Sequence, residues 1–189
     1  MAGVQYLQYS QGDNNPYIQS IQHYSDGQFI IVCQFQEQSR LFFQCDELHI
    51  DKTFRRTNCN ELEINAFDTS TETIITLSRV FTNYESAAGY HKAFSKVFGI
   101  AEADIHKKLR WWHIYQNHNE TRIRAILVDE HLGQVGGLGQ YFAEEYKQHD
   151  ADWHIHRIVK VCRIHYERSI RKLRKMGVST GFSISIIFH

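Results

Sequence analysis

The order of hydrophobic patterns along the chain restricts the fold more than any other feature. Three successive segments, 48–54, 61–67 and 73–81, have the apolar spacing of short strands and are joined by short connections. The period then lengthens to that of a helix over 87–98, and a continuous apolar run follows at 125–128. A buried strand that follows a crossover helix lies parallel to an earlier strand. The sequence therefore predicts an α/β fold with a mixed sheet, an antiparallel three-strand meander plus a parallel strand, flanked by helices.

Further elements are predicted on both sides of this core. Residues 28–36 have the composition of a strand that precedes the meander, and Gly99 is predicted to end the first helix. The glycines of 133–139 predict a turn and tight packing at the start of a second helix, which is marked by Val135, Leu138, Phe142 and Tyr146. A third helix should lie within 155–173, where apolar residues recur at helical spacing; a short strand before that helix is the alternative.

The composition suits one folded domain. The chain has 189 residues, of which 42% are hydrophobic and 13% aromatic, enough for a packed core. We divide it into a polar lead-in (1–27), the domain itself (28–175) and an atypical tail rich in Ser and Ile (176–189). The formal net charge is +0, from 21 basic and 21 acidic residues. Any binding to nucleic acid must therefore come from a local patch.

Cysteine usage and hydropathy indicate the cellular compartment. The chain has 4 cysteines, none of them in a Cys-x-x-Cys pair, and no signal peptide precedes them. Reduced thiols are therefore expected. The apolar runs are too short to cross a bilayer. We expect a nuclear or cytosolic protein that is not secreted and has no membrane partner.

Two aspartates stand at the ends of apolar strands. Asp51 follows Leu48-His49-Ile50, and Asp129 follows the run that ends at Val128. If the strand at 125–128 lies beside the first strand of the meander, the two carboxylates are neighbours. Carboxylates at strand ends can hold hard divalent cations for phosphoryl chemistry. The alternative is that both are ordinary acids on the protein surface.

A set of short motifs occurs in a fixed order between Phe29 and Leu173. The motifs are LHIDKTF (48–54), NELEI (60–64), RVFTN (79–83), GYH (89–91), VF (97–98), Asp129, Gln134, GLGQY (137–141) and CRIHYERSI (162–170). In this order and spacing they resemble the catalytic region of Mutator-like (MULE) transposases, in a form common among fungal transposon-derived proteins.

The resemblance implies a ribonuclease H-like fold and a DDE-type site, in which two Asp and one Glu hold two Mg²⁺ or Mn²⁺ ions. By position, Asp51 is the first acid and Asp129 the second. The family's third acid lies beyond the Cys-x-x-His segment, and no residue of this chain matches it. Glu167 lies inside that segment and is not assigned. We therefore expect an incomplete domain.

The activity that the resemblance implies is metal-dependent cleavage and transfer of DNA strands at transposon ends. An inactive domesticated or remnant module that binds DNA or a protein is the alternative. The DNA sequence recognised and the oligomeric state stay open.

Cys162 and His165 form a Cys-x-x-His pair with the side chains that zinc prefers. A structural zinc site needs four ligands, and nothing in the sequence assigns the other two, although His154 and His156 are near. We favour packing of the pair on the inner face of a helix, so zinc is not expected. The resemblance makes the pair a secondary motif near the active site.

A local basic run lies in the predicted third helix. It includes Arg163, Arg168, Arg171 and Lys172, with Glu167 as the one acid. These side chains are candidates for contacts to DNA phosphates. A solvated helix face explains them equally well.

Aromatic residues 111–113 could stack on bases. Trp111, Trp112 and His113 are adjacent, and packing in the core or between helices is the favoured interpretation.

Overall fold

The structure, a computed structural model, describes residues 16–53, 59–115, 122–129 and 131–161. Its strands and helices are β1 (Ile18–His23), β2 (Phe29–Cys33), α1 (Gln36–Leu41), β3 (Glu47–Thr53), β4 (Asn60–Asp68), β5 (Thr73–Thr82), α2 (Ala87–Ile105), β6 (Ala125–Val128), α3 (Leu132–Glu145), α4 (Ala151–Ile158) and β7 (Val159–Val161).

The described strands form one mixed sheet in the order β1-β2-β5-β4-β3-β6-β7. Strands β3, β4 and β5 are an antiparallel meander. Strand β6 pairs with β3 in parallel, and β7 extends the sheet in parallel on the other side of β6. The predicted α/β architecture, a meander plus a parallel strand flanked by helices, is therefore confirmed.

The main core lies on one face of this sheet. Alternate residues of the strands point to that face, among them Leu48 and Ile50 of β3 and Ile126 of β6, and all three are buried. Helix α2 contributes a buried stripe that includes Phe94 and Phe98. Apolar alternation in the strands and helical spacing in α2 thus meet in one continuous core.

Helices α2 and α3 approach each other closely at a glycine. A Cβ atom on Gly137 would lie 2.4 Å from Tyr90 Cβ and 2.9 Å from the carbonyl oxygen of Ala87. Only a residue without a side chain fits at this distance. The glycines after Asp129 are therefore packing residues of α3, in agreement with the prediction of tight packing at the start of a helix.

Helix α2 continues past Gly99 to Ile105, so the predicted end at Gly99 is wrong. A glycine inside a helix costs only about 1 kcal/mol relative to alanine. Burial of Phe98 and Ala101 on either side outweighs that cost. The helix ends at His106, whose φ of 54° is left-handed.

The third predicted helix, 155–173, is wrong over 159–161. Helix α4 ends at Ile158, and the chain then enters β7, which pairs with β6 through Val159 and Val161. Two β-branched residues beside an available sheet edge favour the strand. The part of the prediction after 161 lies outside the described residues.

The sheet begins earlier than expected. Strand β1, with Ile18 buried against β2, falls inside the segment 1–27 that we interpreted as a lead-in. The strand predicted at 28–36 is present but shorter, as β2, and α1 follows it. Cys33 and Cys45 are free thiols.

Candidate functional site

Asp51 and Asp129 stand at the carboxyl ends of neighbouring parallel strands. Strands β3 and β6 pair in register up to Ile50 and Val128, and an aspartate is the next residue on each chain segment. Adjacent strands lie about 4.8 Å apart. Asp51 is exposed and Asp129 is partly exposed. The predicted pairing of the two strands is confirmed, and the backbone brings both acids to one edge of the sheet.

Acidic residues of β4 share the sheet face of Asp51. Glu63 is the antiparallel partner of Asp51, so the two side chains lie on the same side. The Glu63 carboxylate lies 3.1 Å from Arg79 Nε, and Glu61 lies 3.7 Å from the same nitrogen. One guanidinium therefore compensates the carboxylates of Glu61 and Glu63.

A buried lysine lies on the opposite face at the same edge. The Lys52 side chain is 2% exposed, and its Nζ lies 3.4 Å from Glu85 Oε1. Asn60 donates to the same carboxylate oxygen at 3.3 Å. The charge of Lys52 holds the pKa of Glu85 below its usual range. The sequence pattern does not predict this ion pair, because position 52 falls on the apolar side of β3, where a cation is not expected.

The start of α3 completes this edge. Burial lowers the pKa of His131, and the positive charge of Lys52 lowers it further. The His131 ring packs edge-on against Tyr90 at 5.4 Å between centroids. Burial raises the pKa of Tyr90 to about 12, with a smaller opposing effect from Gln134. The core side of the edge thus contains a neutral imidazole, a neutral phenol and one cation.

These residues determine which ions the edge could bind. Two carboxylates at strand ends are ligands of the kind that Mg²⁺ and Mn²⁺ prefer, and Mg²⁺ usually keeps several waters beside them. In the described ranges, no group of three or more His, Cys, Asp or Glu side chains is arranged to hold a metal ion. The described part of the chain therefore supplies two strand-end carboxylates at this edge and no third acid grouped with them.

Several predicted site residues lie outside the described residues. They are Cys162, Arg163, His165, Arg168, Arg171 and Lys172, together with the tail 176–189. His154, considered as a zinc partner, is within the described part. It is buried, and its Nδ1 lies 3.0 Å from Nε2 of His113.

The aromatic residues 111–113 divide into two groups. Trp111 and His113 are 0% and 5% exposed, which confirms a packing role for them. Trp112 is 47% exposed and is therefore not a core residue. Trp111 bridges to Ile123, and residues 112–114 form a turn in which Trp112 faces outward.

Within the part of the chain that the structure covers, no helix is both long and apolar enough to cross a membrane. Comparison of the chain with family models, curated proteins and solved structures gives no match.

Proposed function

We propose that this chain is a MULE-type, DDE transposase-related domain in which Asp51 and Asp129 bind Mg²⁺ or Mn²⁺. The activity of such a site is cleavage and transfer of DNA strands. The observation that carries the proposal is the parallel register of β3 and β6, which ends at Ile50 and Val128 and is followed by an aspartate on both strands.

The topology supports a ribonuclease H-like fold as part of this proposal. The meander β3-β4-β5 is followed by a helix and by the parallel strands β6 and β7, with β3 and β6 adjacent. This order puts the carboxyl ends of the two acid-bearing strands at one edge. The ordered motifs between Phe29 and Leu173 support the same assignment.

The chain's residues would each have a limited task in the reaction. Asp51 and Asp129 would bind and position the cation. A bound divalent ion would activate a water or a 3′-hydroxyl and stabilise the leaving oxygen of the phosphodiester. Lys52, buried beside Glu85, supplies a positive charge at the same edge without competing for the ion, since an ammonium has no lone pair to offer.

A catalytically inactive, domesticated or remnant module that binds DNA or a protein is the second candidate. The observation that favours it is the metal-ligand inventory of the described ranges, in which no third carboxylate joins Asp51 and Asp129. A two-metal centre normally needs more carboxylates than two.

Binding of Mn²⁺ to the 189-residue chain tests the metal site directly. Free Mn²⁺ is counted by electron paramagnetic resonance during a titration at pH 7. We expect saturable binding that weakens about tenfold or more in Asp51→Asn and in Asp129→Asn, because each removes a charged ligand. Glu47→Gln is the matched control: it changes an exposed acid on the same face of β3, at the opposite end of the strand.

Two outcomes would contradict the metal site. One is the absence of saturable Mn²⁺ binding, and the other is equal weakening in all three variants. Cleavage of a labelled DNA duplex in Mn²⁺ then separates the two candidate functions. Metal binding with cleavage supports the transposase-related enzyme, and metal binding without cleavage supports the inactive module.

A further inference from the structure

A cavity of about 890 Å³ lies at the other end of β3 and β6 from Asp51 and Asp129. Three chain segments form its wall. They are the end of α1 with the turn after it (40–44), the end of α2 with the segment after it (105–110), and residues near the bridge between Trp111 and Ile123 (115 and 122–123). Its volume is within the range of small-molecule sites.

The three segments are held together by backbone hydrogen bonds. The amide of Ile123 donates to the carbonyl of Arg110 at 3.0 Å, and the amide of Trp112 donates to the carbonyl of Ile123 at 2.9 Å. The amide of Arg124 donates to the carbonyl of Asp46. These contacts bring basic residues that are far apart in the sequence to one wall of the cavity.

The wall of the cavity is strongly basic. Five cationic side chains line it, and no acidic residue is among the described lining residues; the cations are Arg40, Lys107, Lys108, Arg110 and Arg122. Lys108 Nζ is already bound by Glu102 at 2.9 Å and Glu145 at 2.7 Å. Arg40, Lys107 and Arg122 still give the cavity a positive charge in a chain whose formal net charge is +0.

One of these cations is buried. Arg122 is 5% exposed and donates through Nη1 to the carbonyl oxygen of Tyr115. Its Nε has no hydrogen-bond partner among the described residues. A buried donor of a charged group is costly to leave unsatisfied. Arg122 therefore keeps one unsatisfied donor within the described part of the chain.

Aromatic rings stand beside the cations. Phe43 is partly exposed and Tyr115 is 39% exposed, and both line the cavity. Arginine and lysine with exposed rings are the combination that binds the phosphates and bases of nucleotides. A carboxylate ligand would use the cations and leave the rings without a role.

We propose that this cavity is a phosphate-binding site for nucleotides, separate from the metal edge. The phosphates can come from a free nucleoside triphosphate or from a nucleic-acid strand. The site does not depend on the proposed metal function, because its residues are all at the amino ends of β3 and β6.

Fluorescence anisotropy with a labelled single-stranded decanucleotide, in EDTA, tests the proposal. Arg40 and Lys107 are exposed, so the double variant Arg40→Gln/Lys107→Gln should fold. We expect it to bind the strand at least about tenfold more weakly. The slope of log affinity against log salt should fall by about 0.7 for each lost phosphate contact. Lys96→Gln, on the exposed side of α2, is the control and should bind as the wild type does.

A variant of opposite sign sharpens the test. Glu145→Gln removes one of the two carboxylates bound to Lys108 and should tighten binding by about twofold. Competition by ATP in EDTA identifies the source of the phosphates. Displacement of the strand at micromolar ATP indicates a free-nucleotide site, and resistance to millimolar ATP indicates a site for strands.

The proposal is overturned if neither the strand nor ATP binds, or if Lys96→Gln weakens binding as much as the double variant does. Because EDTA removes divalent ions, failure of this test leaves the Mn²⁺ titration unaffected. Failure of the Mn²⁺ titration likewise leaves this one unaffected.

Discussion

Two candidate sites at opposite ends of β3 and β6 carry opposite charge. At the carboxyl end, Asp51 and Asp129 follow the last paired residues of the two strands. At the amino end, roughly 13 Å along β3, a cavity has five cations and no acidic residue among its described lining residues. A formal net charge of +0 conceals this separation. Charge balance over a whole chain is therefore a poor guide to what either end of its sheet can bind.

The two ends also differ in how they are packed. Helix α2, 19 residues and about 28 Å long, runs from the acidic end to the basic end. At the basic end it packs Phe98 against Trp111 and Tyr141, with ring centroids 5.2 and 5.1 Å apart. At the acidic end the contact with α3 depends on Gly137, which has no side chain. Large rings support one end and a close helix approach supports the other.

The largest effect is expected from removal of the ring that supports the basic end. Trp111→Ala deletes a fully buried indole in contact with Phe98 and Phe142 and should lower the free energy of unfolding by about 3–5 kcal/mol. Urea denaturation measures it. Trp112→Ala is the matched control, since Trp112 is 47% exposed and should cost less than about 1 kcal/mol. Equal losses in the two variants would mean that Trp111 does not support the basic end.

The second-largest effect is expected from acid, which should destabilise the packing at the basic end. Burial, with smaller effects from the nearby His154, Arg157 and His149, lowers the pKa of His113 to about 4. The unfolded chain therefore binds the proton first, near the ordinary value of 6.5. This contribution to stability is full above pH 6.5 and is lost as the pH falls toward 4, by up to roughly 3 kcal/mol.

Urea denaturation at pH 7 and pH 4.5 measures the effect of acid. His113→Gln should reduce the loss of stability between these two pH values. His156→Gln, which changes an exposed histidine on α4, is the control. An unchanged pH dependence in His113→Gln would rule out His113 as the group responsible.

A smaller effect is expected at the acidic end. Gly137→Ala places a methyl group 2.4 Å from Tyr90 Cβ and should destabilise the protein by about 1–3 kcal/mol. Gly99→Ala is the comparison in the same pair of helices, because nothing lies within 4 Å of its Cβ position. It should stabilise the protein by about 0.5–1 kcal/mol. Thermal denaturation of both variants tests whether the two changes in stability have opposite signs. If both variants were stabilised, Gly137 would not be a contact residue.

Much of the fold follows from local patterns. Alternation in β3 and β4 and the helical spacing from Tyr90 to Phe98 each identify an element from a few neighbouring residues. Helix α4 and strand β7 could not be read this way, because Ile158, Val159 and Val161 suit either structure. Pairing with the edge of β6 favours the strand at 159–161, and that edge exists only after the sheet has formed.

The candidate sites show the same division. Asp51 and Asp129 were found from sequence because each directly follows an apolar strand, so local pattern and topology sufficed. The ion pair of Lys52 could not be predicted from local pattern, because its partner Glu85 is 33 residues away. The only sequence signal of the cationic cavity is the short basic segment Lys107-Lys108 with Arg110. Nothing in that segment predicts that it lies near Arg40.

The sequence alone determined the α/β class, the meander and its parallel neighbour, and the two strand-end aspartates, because each depends on residues close together in the chain. The tertiary structure decided where α2 ends, that residues 159–161 join the sheet, and that basic residues from three segments line one cavity. These features depend on contacts between residues dozens of positions apart. No periodicity of 2 or 3.6 residues carries that information.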